Sequence, residues 1–324
     1  MNPPSDCTYA ATIDDILGAN RRIDPHVNRT PVHTCSTIDG MAGRKLHFKC
    51  ENFQKIGAFK FRGACNAVMK LEEDAARHGV VTHSSGNHAQ ALALAARIRG
   101  IPAHIVMPSN APGVKRRAVE GYGAIIYECE PNVRSRETTA AEVASRTGAT
   151  MIEPYNHPDI IAGQGTMSVE LLEQVPHLDA LVVPVGGGGM LAGVTIAAKA
   201  IKPGIRVFAA EPEAADDAFR SKQSGSIEPM ENPDTIADGL RTTLGTLTFP
   251  VLRDLVEQVL PVSEQEIVSA MRLVWERMKL VIEPSAGVGI AAALSDRFRA
   301  IDGMDHVGVV LCGGNVDLDD LPWT

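Results

Sequence analysis

The chain has few aromatic residues, no surplus of positive charge and no long apolar run, and each shortage removes a class of function. Aromatics make up 4% of the 324 residues, and the formal net charge is −8. A nucleic-acid binder needs a basic stripe interleaved with stacking rings, so nucleic acid is excluded as a partner, and an anionic membrane surface with it. No apolar stretch approaches the roughly 20 residues of a bilayer span. The start, MNPPSDCTYAATIDD, has neither a cationic segment nor the apolar core of a secretory signal. The six cysteines, Cys7, Cys35, Cys50, Cys65, Cys129 and Cys312, show no C-x-x-C and no metal-ligand spacing. Several fall in apolar patterns, where a reduced thiol packs as a small hydrophobe. A reduced, cytoplasmic protein is expected.

What is present is an ordinary globular composition, 44% hydrophobic and 22% charged, with length for about two domains at roughly 100–200 residues each. Helical spacing runs over Ile13 to Ile23, followed by the strand KLHFKC (Lys45 to Cys50) and a helix expected from Phe61 to Arg77. Strand and helix then alternate: strands at 79–83, 103–107, 124–128 and 151–154, with helices between them. A second set follows from Asp159, with strands at 180–185, 206–211, near Val259 and 306–312. A looser region spans Ser224 to Pro250, and Ser263-x-x-Glu266 is a capping box that opens a helix. Strands alternating with helices of this length require crossover connections. The fold class is therefore α/β: two open, twisted, mostly parallel sheets with helices on both faces and the ligand site in the cleft between them.

Three short stretches carry chemistry. Lys60 stands between Phe59 and Phe61 where a strand passes into a helix. An ammonium in apolar company loses hydration, its pKa falls, and a nucleophilic amine able to form a Schiff base becomes available. A surface lysine beside two core rings fits the same residues. Val182 to Gly193 (VVPVGGGGMLAG) is a buried strand, a glycine tetrad and a helix start, an anion cradle suited to phosphate. Gly187-x-Gly189-x-x-Ala192 also matches the dinucleotide fingerprint, with Glu211 placed like a ribose-binding acid, so a nicotinamide dehydrogenase is a rival reading. Ser84-Ser-Gly-Asn-His88 offers hydroxyls, an amide and N–H groups at another helix start, suited to a carboxylate. It is also ordinary turn chemistry.

A lysine in an apolar notch, a phosphate cradle and a carboxylate cradle together suit an enzyme that binds pyridoxal phosphate. FQKIGAFKFRGA, THSSGNHAQALA, PVGGGGMLAG, AAEPEAADD, WERMKLVIEPSAGVG and LCGGNVDL, in this order, resemble the serine racemase and serine/threonine dehydratase family of the tryptophan-synthase-β fold type. The resemblance runs from about Ile13 to Leu318. It implies a large cofactor-binding domain of residues 1–72 and 153–324, a small mobile domain of residues 73–152, and a homodimer. It makes Lys60 the Schiff-base lysine, Phe59 a ring neighbour and Asn87 the partner of the cofactor's 3-oxygen. Gly186, Gly187, Gly188, Gly189 and Met190 would hold the phosphate, and Cys312 stands where the family usually places a serine toward the pyridine nitrogen. Ser84 and His88 would receive the substrate carboxylate, with Arg136 and Thr242 nearby.

Ser85 matches the serine that, in the racemases, faces the cofactor from the side opposite the lysine, though hydroxyaspartate dehydratases carry it too. Tyr155 departs from animal serine racemases beside the expected substrate. Glu211, Ala215 and Asp217 match the family's Mg²⁺ or Ca²⁺ site; two carboxylates and a carbonyl also suit a solvated helix start. Ser36, Lys55, Gln90, Tyr122, Lys279 and Asn315 fall where racemases bind ATP as an activator, with departures at Thr37 and Ile56. The implied activity is interconversion of L- and D-serine with serine dehydration alongside. A threo-3-hydroxyaspartate or threonine dehydratase is the near alternative; a dehydrogenase and a non-catalytic amino-acid-binding module are the distant ones.

Overall fold

Long apolar runs such as LVVP and VGVVL have no polar face to offer water, so they form strands only where both sheet faces are covered. The computed structural model, which describes residues 9–111 and 113–323, has ten strands in two sheets. They are β1 Val32–His33, β2 Lys45–Cys50, β3 Val80–His83, β4 Ala103–Pro108, β5 Ile125–Cys129, β6 Thr150–Met151, β7 Ala180–Pro184, β8 Arg206–Pro212, β9 Gln258–Val262 and β10 His306–Leu311. The larger sheet has the order β1-β2-β10-β7-β8-β9 and the smaller β5-β4-β3-β6. Only β1, on β2, pairs antiparallel. β7 is buried along its whole length, and helices including Pro158–Gln174, Gly189–Ile201 and Pro284–Leu294 cover the larger sheet. Among the described residues no helix is long and apolar enough to cross a membrane. Cys7 lies outside the described residues; Cys35, Cys50, Cys65, Cys129 and Cys312 are free thiols.

The expected helix over 61–77 is two helices, Lys60–Lys70 and Glu73–Arg77. The break has a cause: Arg99 donates to the carbonyls of Val68 and Leu71 and pairs with Glu73, so a side chain completes the helix end. The expected strand at 151–154 stops at Met151, because the following carbonyls are recruited elsewhere: that of Ile152 by His88 and that of Pro154 by Lys60. The loose region 224–250 ends in the helix Phe249–Leu255, and the capping box at Ser263 and Glu266 is present.

A charged network lies in the core between these layers. The guanidinium of Arg62, fully buried, donates to both oxygens of Glu51 at 2.8 Å and to both of Glu170 at 2.7 and 2.9 Å. Lys49 donates to Glu170 at 2.7 Å and to the Thr30 carbonyl at 2.9 Å, and the Thr30 hydroxyl donates to Glu51 at 2.6 Å. Two cations meet two anions, so the cluster is neutral. Burial alone would raise the Glu170 pKa, but hydrogen bonds and charge from Arg62 and Lys49 hold it below the usual range. Burial wins at Lys49, whose pKa is lowered in spite of its partners.

Removing one partner from such a cluster strands the others in the core, at a cost of about 3–5 kcal/mol. Arg62→Ala is therefore expected to lose about that much in urea unfolding, far more than Arg29→Ala, whose pair with Glu173 is exposed. Equal losses in the two variants would show that the buried cluster contributes no more than a surface pair.

Candidate active site

Lys60, Gly186 and Cys312 follow the C-terminal ends of β2, β7 and β10, three neighbouring strands. Ligands in open α/β sheets bind outside those ends. The loop before Lys60 is laced to the chain after β10. The Phe59 N–H donates to the Cys312 carbonyl at 3.0 Å, and the Gly314 N–H to the Gly57 carbonyl at 2.9 Å. Ile56, at φ +60°, occupies the left-handed region that a β-branched residue seldom adopts, and Asn315 Nδ2 holds its carbonyl at 2.7 Å.

Lys60 Nζ donates to the Pro154 carbonyl at 2.8 Å and stands 5.2 Å from the centre of the Phe59 ring. Phe61 does not share the notch; it is buried in the helix packing, and Lys55 lies over its ring. Part of the Lys60 side chain remains exposed, yet the atoms crowding its ammonium lower the pKa to about 8, with the Glu283 carboxylate pulling the other way. The buried Cys312 thiol is pushed well above its ordinary pKa by burial and then by Glu283, so it stays neutral.

The glycine tetrad is required by what surrounds it. A Cβ on Gly186 would lie 2.9 Å from Leu240 Cα and 3.1 Å from Thr242 Oγ1. On Gly187 it would strike the Tyr155 ring at 2.4 Å, and Gly188 has φ +87° with Thr248 Oγ1 at 2.6 Å. The Gly187 carbonyl is drawn away by the Thr248 hydroxyl at 2.8 Å and the Gly245 N–H at 3.2 Å. No side chain caps the helix that starts at Gly189, so its leading N–H groups remain available to an anion. A phosphate fits this donor set.

Ser84 and Ser85 lie in the turn between β3 and the helix Asn87–Arg99, half-buried, with Ser84 Oγ accepting from the Gly86 N–H at 3.3 Å. His88 is withdrawn from that turn: its side chain is buried, Nε2 donates to the Ile152 carbonyl at 3.1 Å, and burial drops its pKa to about 3. What His88 offers a carboxylate is its backbone N–H in the first turn of the helix. Arg136 has a buried Nε without a partner, a donor held in reserve on the small-sheet side. Asn87 Nδ2 donates to both oxygens of Glu283 at 3.1 and 3.2 Å, and Asn315 donates to Glu283 from its backbone and to Asn87 Oδ1 from its side chain.

Glu283 was not among the residues expected from sequence; it precedes Pro284 at a helix start and reads there as a plain N-terminal acid. Asn315, expected at a nucleotide site, is here tied to Asn87. The other five of that set sit on separate elements: Ser36 opens a helix, Lys279 ends one, Lys55 and Gln90 flank the Lys60 loop and the small sheet, and Tyr122 lines a cavity of about 390 Å³ with Arg97 and Glu120.

Glu211 accepts from the backbone N–H groups of Ala218 and Phe219, and Asp217 Oδ2 from that of Leu244. Both carboxyls are buried, and Asp217 Oδ1 has no partner. Burial and their mutual repulsion raise Glu211 well above the usual range, and burial raises Asp217 to about 6. This is not a solvated helix start. Two crowded carboxylates and a free oxygen fit a hard divalent cation.

An amine over an anion cradle at the strand ends of a mixed two-sheet α/β protein defines a cofactor-dependent enzyme of the pyridoxal-phosphate type. The comparisons agree. The family described as pyridoxal-phosphate dependent enzyme matches residues 23–313, and the chain belongs to it. It is 52% identical over 316 residues to a serine racemase of Arabidopsis thaliana, covering 97% of this chain and 96% of the relative. It is 49% identical over 315 residues to a β-hydroxyaspartate dehydratase of Paracoccus denitrificans, covering 97% and 99%. Maize serine racemase superposes with a TM-score of 0.95 at 52% identity, covering 96% and 95%. The dehydrogenase reading is thereby corrected: Glu211 is turned to a helix start and to Asp217, not to a ribose.

A pKa near 8 makes a direct expectation. In cofactor-free protein, covalent capture of Lys60 by pyridoxal phosphate, trapped with borohydride and read by mass spectrometry, depends on the neutral amine. The initial rate should rise with pH, reach half its plateau near pH 8 and level off above it. A midpoint near the roughly 10.4 of an exposed lysine would show that the notch does not dehydrate this amine.

Proposed function

We propose that the protein is a serine racemase that also eliminates water from serine to give pyruvate and ammonia. The observation that carries the reading is that Lys60 follows a strand of the larger sheet and Ser85 a strand of the smaller. A planar carbon held between the two walls thus has a proton-handling group available from each. Pyridoxal phosphate, when bound, supplies an electron sink that makes the substrate α-proton acidic. Phe59 would flank its ring, Asn87, aimed by Glu283 and Asn315, would meet its 3-oxygen, and Gly186 to Gly189 with Met190 would hold the phosphate. Cys312 is a neutral partner for the pyridine nitrogen. Ser84, the His88 N–H, Arg136 and Thr242 take the substrate carboxylate. Lys60 Nζ, its pKa lowered to about 8 so that much of it is neutral at that pH, removes the α-proton on its side. Ser85 Oγ delivers a proton from the other side, which inverts the centre. When the β-hydroxyl leaves first, water is lost instead.

In this reading residues 73–152 form a small domain that moves against a large one of residues 1–72 and 153–324, and the enzyme is a cytoplasmic homodimer. Glu211, Asp217 and the Ala215 carbonyl hold Mg²⁺ or Ca²⁺. ATP activates through Ser36, Lys55, Gln90, Tyr122, Lys279 and Asn315. The second reading is a β-hydroxyaspartate dehydratase, favoured by the relative of that name at 49% identity.

Ser85→Ala tests the assignment, because racemisation needs both faces whereas elimination from an L-substrate needs only that of Lys60. A chiral amino-acid and keto-acid assay over serine, threonine, aspartate and hydroxyaspartate should show the variant losing about 10²–10⁴-fold in L/D-serine interconversion while L-serine dehydration persists. Unchanged interconversion would remove Ser85 from the mechanism. A parent enzyme that dehydrates hydroxyaspartate without interconverting serine would establish the second reading.

The cation assignment has its own test. Mg²⁺ or Ca²⁺ should raise the melting temperature of the parent and a chelator should lower it, since an ion bound only to the folded state stabilises by mass action. Asp217→Ala should lose both responses. If it keeps them, the ion is held elsewhere.

A further inference from the structure

Three histidines take no part in the site above and lie together. His47 stands in β2 and His306 opens β10. The parallel register sets His306 opposite Lys45 and Gly308 opposite His47, so both imidazoles project from one face of the sheet. Gly308 has no side chain there, and Leu171, Leu178 and Leu181 fill the space beside it. His177, exposed, comes from the loop between the helix Pro158–Gln174 and β7. One ring nitrogen of each of the three lies within 4.8 Å of the others. His47 Nε2 and His306 Nδ1 are 3.1 Å apart, and the His177 ring meets the His306 ring edge-on at 4.3 Å between centres.

Two nitrogens on a tetrahedral zinc, at about 2.0–2.1 Å from the ion, stand about 3.3 Å from each other. The His47–His306 separation is already close to that edge. The exposed His177 completes the third corner by side-chain rotation. The fourth corner opens toward a cavity of about 520 Å³ whose wall includes His47, His177, Thr34 and Gln174. Imidazole nitrogens suit zinc, copper or nickel, whereas Mg²⁺ and Ca²⁺ require oxygen ligands.

The charged groups around the cluster leave it available. Asp39 bonds the Leu46 N–H and pairs with Lys45. Asp179 accepts from the backbone N–H groups of Asp305 and His306. A neutral imidazole that donates across the 3.1 Å contact can move its proton to its other ring nitrogen and so free the facing nitrogen for an ion.

We propose that His47, His177 and His306 form a zinc site at the end of the larger sheet remote from the cleft. The histidines lie at or before the middle of strands whose far ends lead to Lys60, Gly186 and Cys312. From His306 to Cys312 the chain advances six residues, about 20 Å at ~3.3 Å each. The ion would pin β2, β10 and the loop before β7 to one point.

The test uses holoenzyme stripped of metal by a chelator, then titrated with zinc chloride in equilibrium dialysis, with melting temperature followed in parallel. One zinc per chain and a raised melting temperature are expected. His177→Ala, on an exposed loop, and His306→Asn should each weaken zinc by at least the roughly 10–100-fold that loss of an outer-shell partner costs. Asp217→Asn should retain it. Retained cofactor absorbance verifies folding of each variant. Zinc affinity unchanged in both histidine variants, or abolished by Asp217→Asn, would overturn the proposal.

Discussion

Arg62 enters the core two residues after Lys60, and its guanidinium is gripped by Glu51 at the end of β2 and by Glu170 in the helix Pro158–Gln174. The planar fork matches two carboxylates at once, which a lysine could not do. Because the contacts come from two other elements, they fix the rotation of the helix Lys60–Lys70 about its axis, and with it the direction in which Lys60 points. Burying four charges gives up much of the Coulomb gain to desolvation. The cluster's contribution is therefore orientation more than stability: slippage by one residue would leave carboxylates unpaired in the core.

That anchoring explains how residues far apart in the chain reach one cleft. β2, β10 and β7 are neighbours, and the loop leaving each delivers one group: an amine, a thiol and a glycine cradle. The small sheet contributes from the opposite wall through the turn after β3. The two walls touch through the polar groups of Asn87, Glu283 and Asn315, and also through an apolar seam in which Phe61, Ala64 and Val68 share one buried cluster with Ala89, Leu92 and Ala96.

Strong local patterns made much of this legible from sequence. VVPV before four glycines fixes both a strand and a helix start, and the capping box at Ser263 marks its helix to the residue. Local signals failed where a distant group intervenes. Nothing near Leu71 announces that Arg99 will complete the helix there, and nothing near Pro154 shows that its carbonyl will be claimed by Lys60. Glu283 reads as an unremarkable acid at a helix start until Asn87 arrives from the other wall. Tyr155 was visible as a departure, but not that its ring would pack on Gly187. The three histidines are separated by more than a hundred residues each, so only strand register brings them together.

The position of β10 in the larger sheet has a consequence for biosynthesis. It is the last of the described strands to leave a ribosome, yet it lies between β2 and β7 rather than at an edge. Until it emerges, β2 and β7 face each other across a missing ribbon, with the backbone groups of the facing edges unpaired, while their other edges can pair with β1 and β8. The small sheet, built wholly from residues 80–151, has every strand it needs long before that. The nascent chain thus carries one finished unit inside an open one, and the long-range pairing of residues 45–50 with 306–311 is the slow step that contact separation dictates. During that interval two apolar strand edges are exposed, and chaperone dependence should be set by the time needed to translate the final segment rather than by the stability of the finished enzyme.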